Sequence, residues 1–318
     1  MCLETCKPPS SEKQFERRRV IDNMEHSPAS DSRQPSRRWF LRTALLGTGG
    51  LALYASEFER HWLEVVYQDI SIKGLSPSFD GVKIAQLSDI HLDEFTEPFL
   101  LREAIDRINH ARPDYVFLTG DYVTADVLPK PLSISAARHC GQLLSGLQCK
   151  ERYAVFGNHD ARAGEKEVAD ALGEANIVFL RNTHVPLERN GGRVWLAGID
   201  DPVCGLPDQG AAIPESIRHI PNEPVILMCH APDYIDRLHA HPAGQAISLV
   251  LSGHTHGGQI RLPFVGPLHL PTGGRKYVEG LFTVGSMQLY VNRGIGSVGV
   301  PFRFDCRPEI TVFTLRSA

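Results

Sequence analysis

Short apolar runs and segments of helical spacing alternate along most of the chain, beginning near Leu63. The apolar runs have the length of strands, and they predict strands at residues 65–72, 82–87, 115–118, 153–156, 177–180, 194–199, 225–229, 249–251, 289–292 and 310–315. Apolar residues that recur every three or four positions predict helices at residues 97–111, 134–147 and 165–176. Strands that alternate with helices indicate an α/β fold, in a domain that we place at residues 63–318.

A small polar cluster follows directly after five of these predicted strands. The cluster residues are, in chain order, Asp89 and His91, then Asp121, then Asn158 and His159, then His230, then His254 and His256. Side chains at the carboxyl ends of neighbouring strands converge on one crevice. Oxygen and imidazole ligands suit a transition metal, and there are too many here for one ion. We therefore predict two ions, bridged by Asp121 because a carboxylate has two oxygens.

Each cluster carries little weight by itself, since a histidine after a strand is usually a satisfied core residue. Their combination, each after its own strand, favours one metal site over five unrelated polar turns. The remaining histidines among the 14 in the chain are interpreted as surface or core residues.

The first 58 residues read as a tail and a targeting signal. Residues 1–35 are polar and without periodicity, which predicts disorder. The pair Arg37-Arg38, followed by Phe40, Leu41 and an apolar run, is typical of a twin-arginine export signal, placed at residues 36–58. The alternative is a basic helix start before a buried helix. No good cleavage site ends the run, so release and retention as a membrane anchor both remain open.

Composition limits the classes of partner. The formal net charge is -4 and the body has no basic region, so we expect no nucleic-acid partner. The 7 cysteines show no metal-type spacing. A disulfide between Cys140 and Cys149 remains open, because exported proteins can carry one.

The polar clusters resemble the signature of calcineurin-like metallophosphoesterases. The matching segments are Asp89-Ile90-His91, Gly120-Asp121, Gly157-Asn158-His159-Asp160, His230 and Gly253-His254-Thr255-His256. The resemblance implies a four-layer αββα sandwich of two mixed sheets. It also implies one metal held by Asp89, His91, Asp121 and His256, and a second held by Asp121, Asn158, His230 and His254. His159 would contact the substrate as an acid.

Two further sequence features indicate which branch of this superfamily the chain resembles. Thr124 stands where protein Ser/Thr phosphatases have a second Asp, so we do not expect phosphoprotein substrates. Gly257-Gly258-Gln259 and the segments 290–296 and 307–310 resemble a bacterial, membrane-associated branch of the superfamily. That branch includes twin-arginine-exported phosphodiesterases and hydrolases of UDP-2,3-diacylglucosamine in lipid A synthesis. Cytoplasmic synthesis of UDP-linked precursors counts against that substrate, because the export signal points outward.

The expected activity is metal-dependent hydrolysis of a phosphodiester or pyrophosphate, with a lipid-linked substrate at the membrane surface as the narrower expectation. Two Mn, Fe or Zn ions that share a water lower its pKa, so that hydroxide attacks phosphorus. His159 would stabilise the phosphate oxygens or protonate the leaving group. Arg293 is either a substrate clamp or a structural ion pair. The competing functions are a soluble periplasmic phosphodiesterase, monoesterase or nucleotidase, and a non-catalytic metal-binding scaffold. We expect export by the twin-arginine machinery and a periplasmic, membrane-associated location.

Overall fold

The computed structural model describes residues 37–125 and 129–318. The tail predicted at residues 1–35, with Cys2 and Cys6, lies outside this range. The twin-arginine pair begins helix α1 (Arg37–Leu53), in which no residue is buried, in contrast to the alternative of a buried helix. No helix among the described residues is long and apolar enough to cross a membrane. A π-helical turn at Tyr54–Phe58 and a 3₁₀ turn at Glu59–His61 follow.

The first of two six-stranded sheets is built mainly from the first half of the domain. Its strands, in spatial order, are β1 (Glu64–Ile72), β14 (Glu309–Ser317), β2 (Lys83–Leu87), β3 (Tyr115–Leu118), β4 (Arg152–Ala154) and β5 (Val178–Phe179). β2, β3, β4 and β5 run parallel, whereas β14 is antiparallel to β2. The chain's last strand thus lies inside this sheet and joins β1 to the rest.

The second sheet is also mixed. Its strands, in spatial order, are β12 (Gly280–Val284), β13 (Met287–Val291), β9 (Ile247–Ser252), β8 (Val225–Met228), β7 (Gly192–Gly198) and β6 (Thr183–Arg189). The four central strands run parallel, and the two edge strands are antiparallel to their neighbours. A separate two-stranded hairpin is formed by β10 (Arg261–Leu262) and β11 (Gly266–Pro267).

Three apolar clusters define four layers. A central cluster packs side chains of the first sheet, such as Phe117, against side chains of the second, such as Leu196. The outer face of the first sheet packs on α2 (Pro98–Ala111), α3 (Lys130–Leu144) and α5 (Glu165–Ala171). The outer face of the second packs on α6 (Gln209–Ala212), α7 (Glu215–Arg218) and α8 (Ile235–Ala240). The predicted αββα arrangement of two mixed sheets is confirmed.

Local sequence explains the main helices and the places where the predicted bounds were wrong. Helix α2 buries Leu100, Ala104 and Ile108 on one face, at helical spacing. The helix predicted at 165–176 ends earlier, and a 3₁₀ turn at Gly173–Ala175 follows it. Helix α3 begins at Lys130, before its predicted start, with proline in its first turn. Cys140 and Cys149 are free thiols in this structure.

Candidate metal centre

Strand ends from both sheets bring the predicted ligands together. Asp89, Asp121 and Asn158 follow β2, β3 and β4, which are parallel neighbours in the first sheet. His230 and His254 follow β8 and β9, which are parallel neighbours in the second. Because the carboxyl ends of these strands lie on one side of the sandwich, the side chains converge there.

The backbone turns sharply at these positions. Positive φ angles occur at Asp89 (48°), His91 (45°), Asp121 (57°), His254 (72°) and His256 (50°). Asp and His tolerate the left-handed region better than branched residues do. These turns allow side chains that directly follow buried strands to face a common centre.

Glycine is required where the ligand loops approach each other most closely. A Cβ atom on Gly157 would lie 2.2 Å from Oδ1 of Asp121. Its φ of -102° is ordinary, so the restriction comes from lack of space. The loop that begins α4 (Asn158–Ala163) can therefore lie directly against Asp121.

One cluster of ligands joins Asp89, His91 and His256, whose ligand atoms all lie within 4.8 Å of one another. The Nε2 atoms of His91 and His256 face each other at 3.2 Å. Oδ1 of Asp89 lies 3.5 Å from Nε2 of His256. The outer nitrogens are engaged elsewhere, with Nδ1 of His91 2.9 Å from the Thr124 hydroxyl and Nδ1 of His256 3.2 Å from the Gly296 carbonyl oxygen.

A second cluster joins Asp121, His230 and His254 within the same distance limit. Nε2 of His230 lies 3.2 Å from Nδ1 of His254 and 3.2 Å from Oδ2 of Asp121. Both outer nitrogens of this cluster face carbonyl oxygens, at 2.6 Å from Thr119 for His230 and 2.9 Å from Thr272 for His254. In both clusters, two imidazoles and a carboxylate lie close together, and the outer nitrogen of each imidazole has a hydrogen-bond partner.

Hydrogen bonding fixes the tautomers of these imidazoles. A carbonyl oxygen only accepts, so the nitrogen beside it carries the proton. The Thr124 hydroxyl donates to Glu94 at 2.6 Å, so it accepts from His91. In the neutral rings each inner nitrogen therefore presents a lone pair, and in both clusters the two inner nitrogens face each other across 3.2 Å. A cation shared by the two rings, either a proton or a metal ion, would stabilise this arrangement.

The pKa shifts of these histidines are consistent with a cation bound between the rings. Burial lowers the pKa of His91 to about 3 and that of His254 to about 4, so neither carries a second proton at neutral pH. Burial also lowers the pKa of His230, but the charges of Asp121, Asp89 and Asp201 and a hydrogen bond to Asp121 together outweigh it, and the net shift is well upward. A positive charge is thus favoured in the second cluster, and a metal ion would supply it instead of a proton.

Asp121 lies between the two clusters. Its Oδ2 is 3.2 Å from Nε2 of His230 and 3.6 Å from Nε2 of His91. Burial raises the pKa of Asp121, but the charges of His230, His159 and His91 and a hydrogen bond from His230 together lower that pKa well below its ordinary value. Asn158 is 5% exposed, and its Oδ1 has no hydrogen-bond partner among the described residues. An unsatisfied buried oxygen beside two imidazole pairs fits a ligand of a metal ion.

His159 offers a ligand atom within 4.8 Å of those of His91 and Asp121, but its own hydrogen bonds differ from those of the other histidines. Its backbone N–H donates to Oδ1 of Asp121 at 2.9 Å, and its ring centroid lies 5.0 Å from that of His91. Nδ1 of His159 accepts a hydrogen bond from the backbone N–H of Ala125 at 3.1 Å. Nε2 therefore carries the proton in the neutral ring.

Two residues that support the site were not assigned from the sequence. Asp160 is fully buried, and its carboxyl group accepts from the backbone N–H groups of Asp121 (2.7 Å), Tyr122 (3.0 Å) and Gly157 (2.9 Å). It ties the loop after β3 to the loop after β4. Thr124, which was noted only as a departure from protein phosphatases, orients His91. The D at the end of the G-N-H-D segment was the available signal for Asp160.

Arg293 lies outside the ligand clusters. Its Nε is 2.5 Å from Oε2 of Glu309, and its NH2 is 2.7 Å from Oε2 of Glu64. It lines a separate cleft of about 390 Å³ with Asp305 and Arg307. The structure favours the structural ion pair over a substrate clamp.

A cavity of about 640 Å³ opens over the ligand clusters. Asp121, Asn158 and His159 lie on its polar side, and Arg162 and Arg275 add positive charge. A second part of the lining is apolar and consists of Val203, Ile260, Leu268, Leu270, Pro271, Val298 and Val300. The cavity is large enough for a phosphoester with an organic substituent.

Two mixed sheets between helices, with Asp, Asn and His ligands at the strand ends, define a metal-dependent phosphoester hydrolase. Residues 82–258 match the family model described as calcineurin-like phosphoesterase. The chain therefore belongs to the calcineurin-like phosphoesterase family, as its motifs predicted.

Three relatives are similar over most of the chain. The "uncharacterized metallophosphoesterase YkuE" of Bacillus subtilis is 35% identical over 89% of this chain and 98% of its own length. The "phosphodiesterase YaeI" of Escherichia coli is 32% identical over 88% and 99%. The "transmembrane protein with metallophosphoesterase domain" of Danio rerio is 32% identical over 86% of this chain and 62% of its own length.

Proposed function

We propose that this chain hydrolyses phosphodiester or pyrophosphate bonds at a dinuclear metal centre. One ion would be held by Asp89, His91, Asp121 and His256, and the other by Asp121, Asn158, His230 and His254. The observation that carries the proposal is the pair of imidazole clusters whose inner nitrogens face each other at 3.2 Å, with Asp121 between the clusters. The relative named a phosphodiesterase supports the choice of diester over monoester.

The chemistry divides between the ions and the chain. When bound, two ions of the Mn, Fe or Zn type supply Lewis acidity toward phosphate and lower the pKa of a shared water. Asp121 would keep the two metal positions at a fixed spacing. Its orientation is set by the backbone N–H of His159 at one carboxylate oxygen and by the imidazole of His230 at the other. Arg162 and Arg275 on the cavity wall attract an anionic substrate.

The tautomer of His159 bears on whether it stabilises phosphate oxygens or protonates the leaving group. Because Nδ1 accepts from Ala125, the ring donates through Nε2 to a phosphate oxygen or the leaving oxygen. A doubly protonated ring would need a proton on Nδ1 and would lose this hydrogen bond. The geometry therefore supports stabilisation of phosphate oxygens by a neutral donor over full proton transfer to the leaving group.

Substitution of the bridging carboxylate tests the proposal. Asp121→Asn should lose most bound metal and nearly all turnover of bis(p-nitrophenyl) phosphate, measured by elemental analysis and a colorimetric assay. The matched control is Asp69→Asn, at an exposed carboxylate on β1. Full metal content with full activity in Asp121→Asn would contradict the dinuclear assignment.

The narrower substrate proposal is an ester that carries a lipid or another large apolar group, with a UDP-2,3-diacylglucosamine-type compound as its narrowest form. It is supported by the apolar part of the cavity lining, which includes Ile260, Leu268 and Val300. The detergent-solubilised enzyme should be assayed on lipid-bearing and lipid-free substrates with the same head group. A kcat/KM that is equal or higher for the lipid-free member would refute the lipid proposal and leave phosphodiester hydrolysis intact.

Export is proposed on the strength of Arg37 and Arg38 at the start of the exposed helix α1. A twin-arginine signal implies transport of the folded, metal-loaded protein to the outer face of the cytoplasmic membrane. Cell fractionation of an Arg37→Lys/Arg38→Lys variant should show retention in the cytoplasm. Unchanged delivery would refute the assignment.

A further inference from the structure

The hairpin β10–β11 exposes a group of large apolar side chains. Phe264 at its tip is fully exposed, Val265 is 70% exposed and Leu268 is 56% exposed. The two strands pair through Arg261–Pro267 and Leu262–Gly266 and belong to neither six-stranded sheet. The base of the hairpin is held by a hydrogen bond from the N–H of Arg261 to the carbonyl oxygen of Phe304 at 2.9 Å, whereas its tip is exposed.

The tip holds Phe264 in an unfavourable backbone conformation. The N–H of Val265 donates to the carbonyl oxygen of Leu262 at 3.1 Å and closes a turn. Pro263 is the second residue of this turn and Phe264, with φ of 65°, is the third. A turn with proline second and positive φ third favours glycine at the third position. Packing does not stabilise the phenylalanine, because its ring is fully exposed.

The exposed hairpin is continuous with the cavity over the metal centre. Ile260, Leu268 and Val300 line that cavity. Leu268 and Val300 are also exposed, at 56% and 42%, so they form its lip. The N–H of Leu268 donates to the carbonyl oxygen of Ile260 at 3.0 Å, which joins the two ends of the hairpin beside the cavity. An apolar strip therefore runs from the cavity wall to the hairpin tip.

An exposed arginine on the cavity wall lies near this strip. Residues 257–278 contain no Asp or Glu but contain Arg261, Arg275 and Lys276, in a chain whose net charge is -4. Arg261 and Lys276 also make ion pairs with carboxylates outside this segment. Arg275 is exposed on the cavity wall. An exposed apolar tip beside a cavity whose wall carries Arg162 and Arg275 suits the interface of an anionic lipid layer.

We propose that the hairpin tip, formed by Leu262, Phe264 and Val265, inserts into an anionic lipid surface and places the mouth of the cavity there. A phosphoester anchored in the lipid would then reach the ligand clusters along the apolar strip. The hydrolytic consequence rests on the proposed function, whereas the insertion itself does not.

Insertion is tested by a tryptophan at the tip. In the full chain carrying Phe264→Trp, the fluorescence emission of the new tryptophan should shift to the blue when vesicles of equimolar phosphatidylglycerol and phosphatidylcholine are added. Bromine-labelled acyl chains in the vesicles should quench this added fluorescence. The native tryptophans are subtracted with the parent protein. The matched control is Tyr67→Trp, at a 68% exposed position on β1, which should show no quenching. Equal quenching at both positions, or none at Phe264→Trp, would overturn the proposal.

The consequence for catalysis is tested by Phe264→Gly, which removes the ring and relieves the turn. Thermal stability should be unchanged or higher. Vesicle binding should fall by about tenfold or more, as expected for one large apolar side chain. Hydrolysis of a vesicle-held diester should fall with it, while hydrolysis of soluble bis(p-nitrophenyl) phosphate stays unchanged.

The outcomes of this experiment are distinguishable. If parent and variant both lack hydrolytic activity but differ in vesicle binding, the proposed function fails and the lipid contact stands. If vesicle binding is unchanged and the variant instead dissociates from a dimer to a monomer in gel filtration, the tip contacts a second copy and the proposal is wrong.

Discussion

Replacement of Asp160 by asparagine tests how the two ligand loops are held together. Its carboxyl group accepts three backbone N–H bonds, from Asp121 and Gly157 at Oδ2 and from Tyr122 at Oδ1. Asparagine keeps one oxygen and replaces the other with an NH₂ group. At best it satisfies the two donors at Oδ2, so at least one buried N–H then faces another donor.

The expected loss follows from that one unsatisfied group. A buried donor without an acceptor costs about 1–3 kcal/mol. For a domain of this size, that lowers the melting temperature by roughly 2–4 °C per kcal/mol. If the loop then shifts the Asp121 carboxylate, turnover falls about tenfold for each ~1.4 kcal/mol of lost transition-state stabilisation.

The assay compares metal-free thermal unfolding, metal content and turnover in Asp160→Asn and the parent chain. Asp170→Asn is the matched control, since Asp170 is an exposed carboxylate paired with Lys166 on α5. It should leave all three quantities unchanged. The reasoning would be refuted if Asp160→Asn unfolded at the same temperature as the parent and retained its activity.

Three further substitutions separate ligand, donor and structural roles. His159→Ala should keep the metals but lower turnover by about 10²–10⁴-fold, and metal loss that matched the rate loss would make His159 a ligand. Gly157→Ala should release metal, because its Cβ would lie 2.2 Å from Oδ1 of Asp121, and normal metal content would show that the loop can move. Arg293→Met leaves Glu309, which is 2% exposed, without its ion pair. The substitution should therefore lower the free energy of unfolding by ~3 kcal/mol. The KM for a soluble diester should be unchanged. A raised KM with unchanged stability would instead support a role for Arg293 in binding the substrate.

Much of the fold could be predicted because its parallel strands are fully buried. The runs at Tyr115–Leu118 and Val225–Met228 are buried on both faces and wholly or mainly apolar, and Lys83–Leu87 is buried after its first residue, which makes them visible as short hydrophobic segments. The edge strands Thr183–Arg189 and Gly280–Val284 were missed. They are half exposed and carry polar residues, a proline or a glycine, so no continuous apolar run marks them.

The side chains at the metal centre could be predicted for a related reason. Each predicted ligand directly follows a buried strand or its turn, so sequence position alone indicates where it lies. Asp160 and Thr124 act through hydrogen bonds to segments distant in the sequence, at Asp121 and His91. Arg293 likewise finds Glu309 and Glu64 only in the folded chain. Such pairings depend on the tertiary structure, and no local pattern specifies them.

The left-handed backbone at five metal-centre positions has a consequence for the lifetime of the protein. Each non-glycine residue in that region costs ~1 kcal/mol, so Asp89, His91, Asp121, His254 and His256 together cost an amount comparable to the net stability of a domain, ~5–15 kcal/mol. Cations that bind only the folded chain offset this cost in proportion to the logarithm of their free concentration. Metal starvation would therefore remove the enzyme by unfolding and proteolysis, so that its abundance, and not merely its activity, follows the metal supply.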